Sequence, residues 1–487
     1  WLTGWRRAVL AAGLGAVAAL GQAPWGFWWA TLGALAALAW YLGRMPDTRA
    51  AFWSGLLAGA GYFALALNWI VEPFLIDIAR QGWMAPFAVI LLSFGLGLFW
   101  GAAAVLGRWF AWPALGFVVA FVALEWVRGV IFTGFPWAMV GHIWIGTPVD
   151  QLAALGGPTG LSLLTLLAAS LPVLWRWRGA GASVVLLAGA TAFGLWRLGQ
   201  PLPEPLPGTL RLVQPNAEQS AKWEAARAQE FLERLLTLTV RGGPADLTIW
   251  PETAVPYMFE YAPDVAGMIA AASGGRPVAV GIQREENERF FNSLRVLEGE
   301  GMEAARYDKA HLVPFGEYIP FGDLAYDWFG LRAFAAQAGN TYSAGPGARV
   351  LDLGPSGKVL PLICYEAIFP RDVNAAPERA DWMLQITNDA WFGIRTGPFQ
   401  HFAQARLRAI EQGLPLIRVA NTGITAVVDA HGRVVEELPF GTMAAMDTHV
   451  PGALPPTPYS LWGDGPVALL LAGLAAMAAV RRRQASH

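Results

Sequence analysis

The chain has 487 residues, 55% of them hydrophobic and only 14% charged, where ordinary soluble domains carry about 25%, and its mean hydropathy is +0.40. A net charge of −2 gives no bulk electrostatic case for nucleic acid, and the single cysteine, Cys364, excludes an intrachain disulfide framework or a CxxC metal site. The surplus of apolar residues points instead to membrane spans.

Residues 1–200 hold most of the Trp, Leu and Ala and few charges. A span needs about 20 apolar residues. Seven candidates precede residue 200, at roughly 8–22, 26–43, 51–70, 86–106, 111–131, 158–175 and 181–198. The first follows Arg6 and Arg7 without a small-residue cleavage site and reads as a retained span. The Gly95–Gly101 run suits close helix packing. Two connecting loops, Asn68–Arg80 and Glu125–His142, mix aromatics with a few charges. They read as an interfacial aromatic belt or as a lipid-lined approach to a site, and Glu125 and Arg128, three apart, suit an ion pair.

Pro201–Pro207 is a proline-rich break that no helix crosses. Residues 208–450 then have soluble composition, and an eighth apolar stretch, near 464–480, precedes Arg481, Arg482 and Arg483. With the N-terminus inside, the inner ends carry Arg6, Arg7, Arg44, Arg49, Arg108, Arg176, Arg178 and the C-terminal arginines, and the outer ends only Arg80, Arg128 and Arg197. The positive-inside rule therefore puts residues 208–450 on the extracytoplasmic side. The expected architecture is a polytopic α-helical membrane bundle of about eight spans (1–200 and 464–481) plus an α/β domain (208–450).

Three segments of the α/β region end in reactive side chains: Leu247–Glu252, Arg306–Tyr318 with Lys309 and Glu317, and Val359–Glu366 with Cys364. Such groups at strand ends are where α/β sites are built. A thiol attacks carbonyls as the thiolate, from a free pKa of about 8.5. A carboxylate can take its proton, and a lysine can hold the developing oxyanion, helped by the amide of Tyr365. Glu252, Lys309 and Cys364 thus form a complete acyl-transfer set that needs neither histidine nor metal nor cofactor. Alone, each has a plain structural reading: a buried Cys as a core hydrophobe, the Glu as a strand-end group, the Lys as a solvated one. The joint pattern decides. His311 reads as structural, Asp389 as ordering its loop, and His401 as either. Phe315, Trp328, Phe329 and Phe334 read as either a mobile apolar lid or ordinary packing.

Trp250-Pro-Glu252, Tyr307-Asp-Lys309 through Glu317-Tyr318, and Cys364-Tyr-Glu366 are similar to the Glu, Lys and Cys motifs of the nitrilase (carbon–nitrogen hydrolase) superfamily. Gly281-Ile-Gln, Phe291-Asn-Ser, Asn388–Gly393 and Arg418–Gly423 match further. With the flanking spans, the whole chain resembles the apolipoprotein N-acyltransferase family of bacterial inner membranes. The resemblance implies an αββα sandwich, with Glu252 as general base, Lys309 as oxyanion stabiliser and Cys364 as nucleophile. It implies supporting roles for Glu317, Tyr365, Glu366, Trp223 near the site and Asn292 orienting substrate or loop. The implied reaction moves a fatty acyl chain from a membrane phospholipid, through a cysteine thioester, to the α-amino group of a diacylglyceryl-cysteine apolipoprotein on the periplasmic side. A membrane-anchored amidase using water is the rival of the same fold. A transporter with an accessory domain would want ionisable groups inside its spans, and the sequence offers few.

Overall fold

The structure, a computed structural model, describes residues 4–218, 225–255, 257–320 and 341–484. The chain forms two compact units that interleave along the sequence: Trp1–Gln200, Ile394–Gln412 and Pro456–His487 make a helical unit, and Pro201–Gly393 with Gly413–Pro455 make an α/β unit.

All eight apolar segments are helical, but several of the helices are short. Trp5–Ala19 and Trp28–Leu42 have 15 residues each and Pro113–Arg128 has 16. At about 1.5 Å per residue these fall short of a hydrocarbon core of about 30 Å. Among the described residues two helices are long and apolar enough to cross a membrane, Ile78–Gly107 and Pro148–Leu198, or three if the bent pair Thr48–Ala66 and Asn68–Leu75 is one span. The second joins two segments that the sequence separates; non-helical backbone at Gly157 and at Trp175 and Arg176 breaks it where the polar Arg176–Arg178 run begins. Thr48–Ala66 packs on Ala85–Gly107 through glycine: a Cβ on Gly59 would lie 2.8 Å from the Cα of Gly97, and one on Gly97 would lie 2.7 Å from the Leu56 carbonyl. Only bare backbone permits that approach.

Polar groups fasten the non-helical segments of this unit. Arg128 Nη1 donates to the carbonyls of Phe135 and Trp137, both at 2.7 Å, and Arg128 Nη2 lies 3.6 Å from Glu125 Oε1, which accepts from Val140 N at 2.9 Å. The helix Gly397–Gln412, from the middle of the sequence's soluble stretch, belongs here. Its Gln400 accepts from the indoles of Trp69 (3.3 Å) and Trp137 (2.7 Å) and donates to the carbonyls of Ala23 (3.1 Å) and Ala66 (3.0 Å). His401 is buried and stacks on Trp137, and Leu407 and Ile410 pack with Ile143, Trp144 and Val149.

The α/β unit holds two six-stranded sheets. The first uses β1 (Thr209–Gln214), β2 (Leu247–Ile249), β3 (Val278–Glu286), β4 (Arg289–Glu298), β5 (Met302–Asp308) and β12 (Ala444–His449), in the order β12-β1-β2-β3-β4-β5. The second uses β6 (Leu351–Asp352), β7 (Lys358–Ile363), β8 (Trp382–Thr387), β9 (Leu416–Ala420), β10 (Thr425–Val428) and β11 (Val434–Leu438), in reverse chain order. Each has a parallel centre, β1-β2-β3 and β7-β8-β9, flanked by antiparallel strands. The central runs are almost wholly buried and mostly apolar, as strands covered on both faces require, with Gln385, Thr387 and Arg418 as buried polar exceptions. Pro361 is tolerated in β7 because β6 pairs only with Lys358 and Val359, leaving Pro361 a ladder partner only in β8 among the described residues. The sheets face one another, β1 against β9 and β4 against β7. Helices Ala225–Val240 and Pro263–Ser273 cover the first, their Leu232, Leu235, Val265 and Ile269 packing with Val213, Trp250 and Val280. Trp223, Trp328, Phe329 and Phe334 lie outside the described residues.

Candidate active site

Four chain segments deliver polar groups to one place, each just past a strand: Glu252 after β2, Lys309 after β5, Cys364 after β7 and Asn388 after β8. Lys309, 1% exposed, lies between two carboxylates, with Nζ 2.9 Å from Glu317 Oε1 and 3.5 Å from Glu252 Oε1. Asn292, from β4, bridges the same pair, donating through Nδ2 to Glu252 Oε1 (2.7 Å) and Glu317 Oε1 (3.1 Å). The second oxygen of each carboxylate is held by backbone: Glu252 Oε2 accepts from Asn388 N at 2.9 Å, Glu317 Oε2 from Val313 N at 2.8 Å. Gly281 makes room for this, since a Cβ there would sit 2.2 Å from the Pro251 carbonyl and 2.7 Å from Glu252 Cα.

Burial works against the Lys309 ammonium, but Glu317 and then Glu252, with a smaller contribution from Cys364, outweigh it and hold its pKa above the ordinary lysine range. Burial, and then the charge of Glu252, push the Cys364 thiol well above its ordinary range, against the opposing pull of Lys309 and of a hydrogen bond with Thr387. The surroundings thus favour the neutral form of the Cys364 thiol and the ammonium form of Lys309.

Cys364 opens the 3₁₀ turn Cys364–Ile368 with φ +54°, a region costly for a residue with a Cβ, about 1–3 kcal/mol. The surroundings hold it there. Glu366 accepts from Ile363 N (2.7 Å), Ala310 N (2.8 Å), His311 N (3.1 Å) and the Tyr307 hydroxyl (2.8 Å). This one buried carboxylate fastens the residue before Cys364 to the residue after Lys309. Below the turn, Gln385 donates to the Cys364 carbonyl at 3.1 Å; Arg418 donates to Gln385 Oε1 at 2.9 Å and to Asp389 Oδ2 at 2.8 Å; Thr387 donates to Asp389 Oδ1 at 3.1 Å. His311 pairs with Asp372 at 2.5 Å and stacks on Phe369, while Tyr365 meets both rings edge-on. Phe315, also at positive φ, is exposed on the turn that carries Glu317.

Glu252, Lys309, Glu317 and Asn292 therefore form one linked cluster, the Cys364 thiol feels the charges of Glu252 and Lys309, and Glu366 and Tyr365 sit around the Cys364 turn and not in the charge cluster. The motif-by-motif reading did not single out Gln385 or Thr387, and named Arg418 only as the start of the matching run Arg418–Gly423; the available signal for its role was an arginine inside the apolar run Leu416-Ile-Arg-Val-Ala420.

The family model described as Apolipoprotein N-acyltransferase N-terminal domain matches residues 14–171, and that described as Carbon-nitrogen hydrolase matches residues 209–454. The apolipoprotein N-acyltransferase of Caulobacter vibrioides is 40% identical over 444 residues, covering 85% of this chain and 83% of that one. The chain belongs to the apolipoprotein N-acyltransferase family. The Bradyrhizobium diazoefficiens apolipoprotein N-acyltransferase is 38% identical over 520 residues, covering 99% and 96%. Among solved structures, a CN-hydrolase superfamily protein from Xanthomonas campestris is 21% identical and covers 50% of this chain and 90% of its own, with a TM-score of 0.37.

Proposed function

We propose that this chain transfers a fatty acyl group from a membrane phospholipid to the N-terminal amine of a diacylglyceryl-cysteine apolipoprotein, using Cys364 as nucleophile, Glu252 as base and Lys309 as oxyanion partner. The observation that carries the reading is Lys309 held between Glu252 and Glu317 beside a strained, buried cysteine. The raised thiol requires that the proton leave as the sulfur attacks. Glu252 takes that proton as Sγ adds to the ester carbonyl. The Lys309 ammonium and the Tyr365 amide, at the start of a 3₁₀ turn where amides lack a partner within the turn, receive the oxyanion. Collapse expels the lysophospholipid alkoxide, which takes the proton back from Glu252 and leaves a thioester. In the second half the acceptor amine attacks, Glu252 removes its proton, and the departing thiolate recovers one.

Family membership and the arginine distribution support a multi-pass enzyme of about eight spans in a bacterial inner membrane, with its α/β unit on the periplasmic side. The shorter helices would cross by locally thinning the bilayer or by using their flanking turns.

The test is intact mass after incubation with phospholipid alone. Wild type should gain one fatty acyl group on the peptide containing Cys364, neutral hydroxylamine should remove it, and an amine acceptor should discharge it as an amide; Cys364→Ala should gain nothing. Amide product formed without a chargeable intermediate would overturn the thioester route, and free fatty acid with no amide would favour a hydrolase.

A further inference from the structure

The helical unit contains a second place built to hold a ligand. A cavity of about 520 Å³ is lined by Arg7 and Leu10 of the helix Trp5–Ala19, by Trp40 and Tyr41 at the end of Trp28–Leu42, and by Arg44, Met45 and Pro46 of the following turn. Its volume is in the range of small-molecule sites, larger than an inorganic anion needs. Tyr41 is 5% exposed, yet its hydroxyl has no hydrogen-bond partner among the described residues. Buried hydroxyls are nearly always paired, so this one awaits an acceptor. The Arg44 guanidinium is stacked 3.9 Å over the Trp40 ring and, among the described residues, donates once, to the Trp40 carbonyl at 3.1 Å, which leaves four of its five N–H groups to a ligand. Arg108 steadies the same turn through the Met45 carbonyl at 2.8 Å.

We infer that this cavity binds the phosphate of an anionic phospholipid, as a bound lipid distinct from the acyl donor. The donors present, two guanidiniums and a tyrosine hydroxyl, match phosphodiester oxygens. The rest of the lining, Leu10, Trp40, Met45 and Pro46, matches a glycerol backbone and the first methylenes of its chains. A soluble phosphate would leave those residues without a partner. Basic pockets between helices at the membrane surface take phospholipid headgroups by this chemistry. All seven residues belong to the helical unit, so the site does not involve Cys364, Lys309 or Glu252.

The experiment uses the full chain carrying Cys364→Ala, so that no lipid is consumed, with ether-linked phosphatidylglycerol or phosphatidylcholine, which cannot donate an acyl group. Native mass spectrometry should retain phosphatidylglycerol in preference to phosphatidylcholine, and the melting temperature should rise with phosphatidylglycerol concentration. Arg44→Gln and Tyr41→Phe should each weaken retention about tenfold, the strength of one charge-assisted hydrogen bond. Tyr41→Phe removes only an unpaired hydroxyl, so its loss of lipid cannot be put down to misfolding. Equal retention of both lipids, or wild-type retention in both variants, would overturn the inference. So would inorganic phosphate or glycerol 3-phosphate raising the melting temperature as far as the lipid does, because the occupant would then be a soluble anion.

Discussion

Glu317→Gln is the change that most sharply tests how the charge cluster is held. Glu317 receives three donors on two oxygens: Lys309 Nζ and Asn292 Nδ2 on Oε1, and Val313 N on Oε2. Glutamine brings one oxygen and one NH₂. With its oxygen toward Lys309, the NH₂ faces the Val313 N–H; turned over, it faces the ammonium. Either way a buried donor meets a donor, and Lys309 loses one of the two charges that balance it. Breaking a buried pair by removing one partner costs about 3–5 kcal/mol. At about 2–4 °C per kcal/mol for a unit of this size, the α/β unit should melt roughly 6–20 °C lower. The pH dependence should change as well. Glu317 and Glu252 raise the Lys309 pKa against burial. A cation raised in this way keeps its full contribution below the ordinary lysine value of about 10.4 and loses it only as pH climbs through the folded value. Wild-type acylation should therefore show no alkaline decline from this group up to about pH 10. In Glu317→Gln, burial is opposed mainly by Glu252 at 3.5 Å, so the decline should move toward neutral pH. Calorimetry in detergent gives the first quantity, and acyl-enzyme formation against pH by intact mass gives the second. Wild-type melting together with a flat profile to about pH 10 would refute the account of Lys309 as a cation held by two carboxylates.

Three further outcomes are expected. Gly281→Ala should push the Glu252 turn away from β3, because its Cβ would lie 2.2 Å from the Pro251 carbonyl; a displacement near 1 Å at a reacting group can cost about 10²-fold in rate, and acylation within tenfold of wild type would show that the turn yields without moving Glu252. Arg418→Met should leave the wholly buried Asp389 without its counter-charge and Gln385 without the anchor that aims it at the Cys364 carbonyl, a loss of about 3–5 kcal/mol visible in thermal melts; an unchanged melting temperature would remove the Arg418 network from the support of the Cys364 turn. A reporter active only outside the membrane should work when fused after Pro205 and stay silent when fused after Arg483, and the reverse pattern would overturn the proposed orientation.

The charge cluster was legible because its chemistry depends on residue types at strand ends, and strand ends are visible as apolar runs meeting charge: Leu247–Ile249 before Glu252, Lys358–Ile363 before Cys364. What could not be read was which second carboxylate does what. Glu317 and Glu366 look alike in sequence, yet one faces an ammonium and the other binds three backbone amides and a tyrosine hydroxyl. That difference comes from packing across two sheets, which local pattern does not encode. The same holds for Gly397–Gln412. Its glutamines, histidine and arginines give it the composition of a solvent-facing helix, but Gln400, His401, Gln404 and Arg408 are all buried in the helical unit. The helical segments themselves were visible in the hydropathy, whereas their lengths were not: nothing in Trp5–Ala19 or Trp28–Leu42 marks where the helix stops except the Gly and Pro that follow.

Gln400 also sets a timetable for synthesis. The carbonyl of Ala66 and the indole of Trp137 wait for a side chain that is 334 and 263 residues further along the chain, respectively. At roughly 5–20 residues per second, the earlier helices would wait on the order of tens of seconds for the side chain that joins them. The ribosome must complete most of the α/β unit before the helical unit can close. A chain truncated near residue 200 would lack the helix that closes it, so the helical unit of this protein cannot be matured as an independent module and then fitted with its α/β unit.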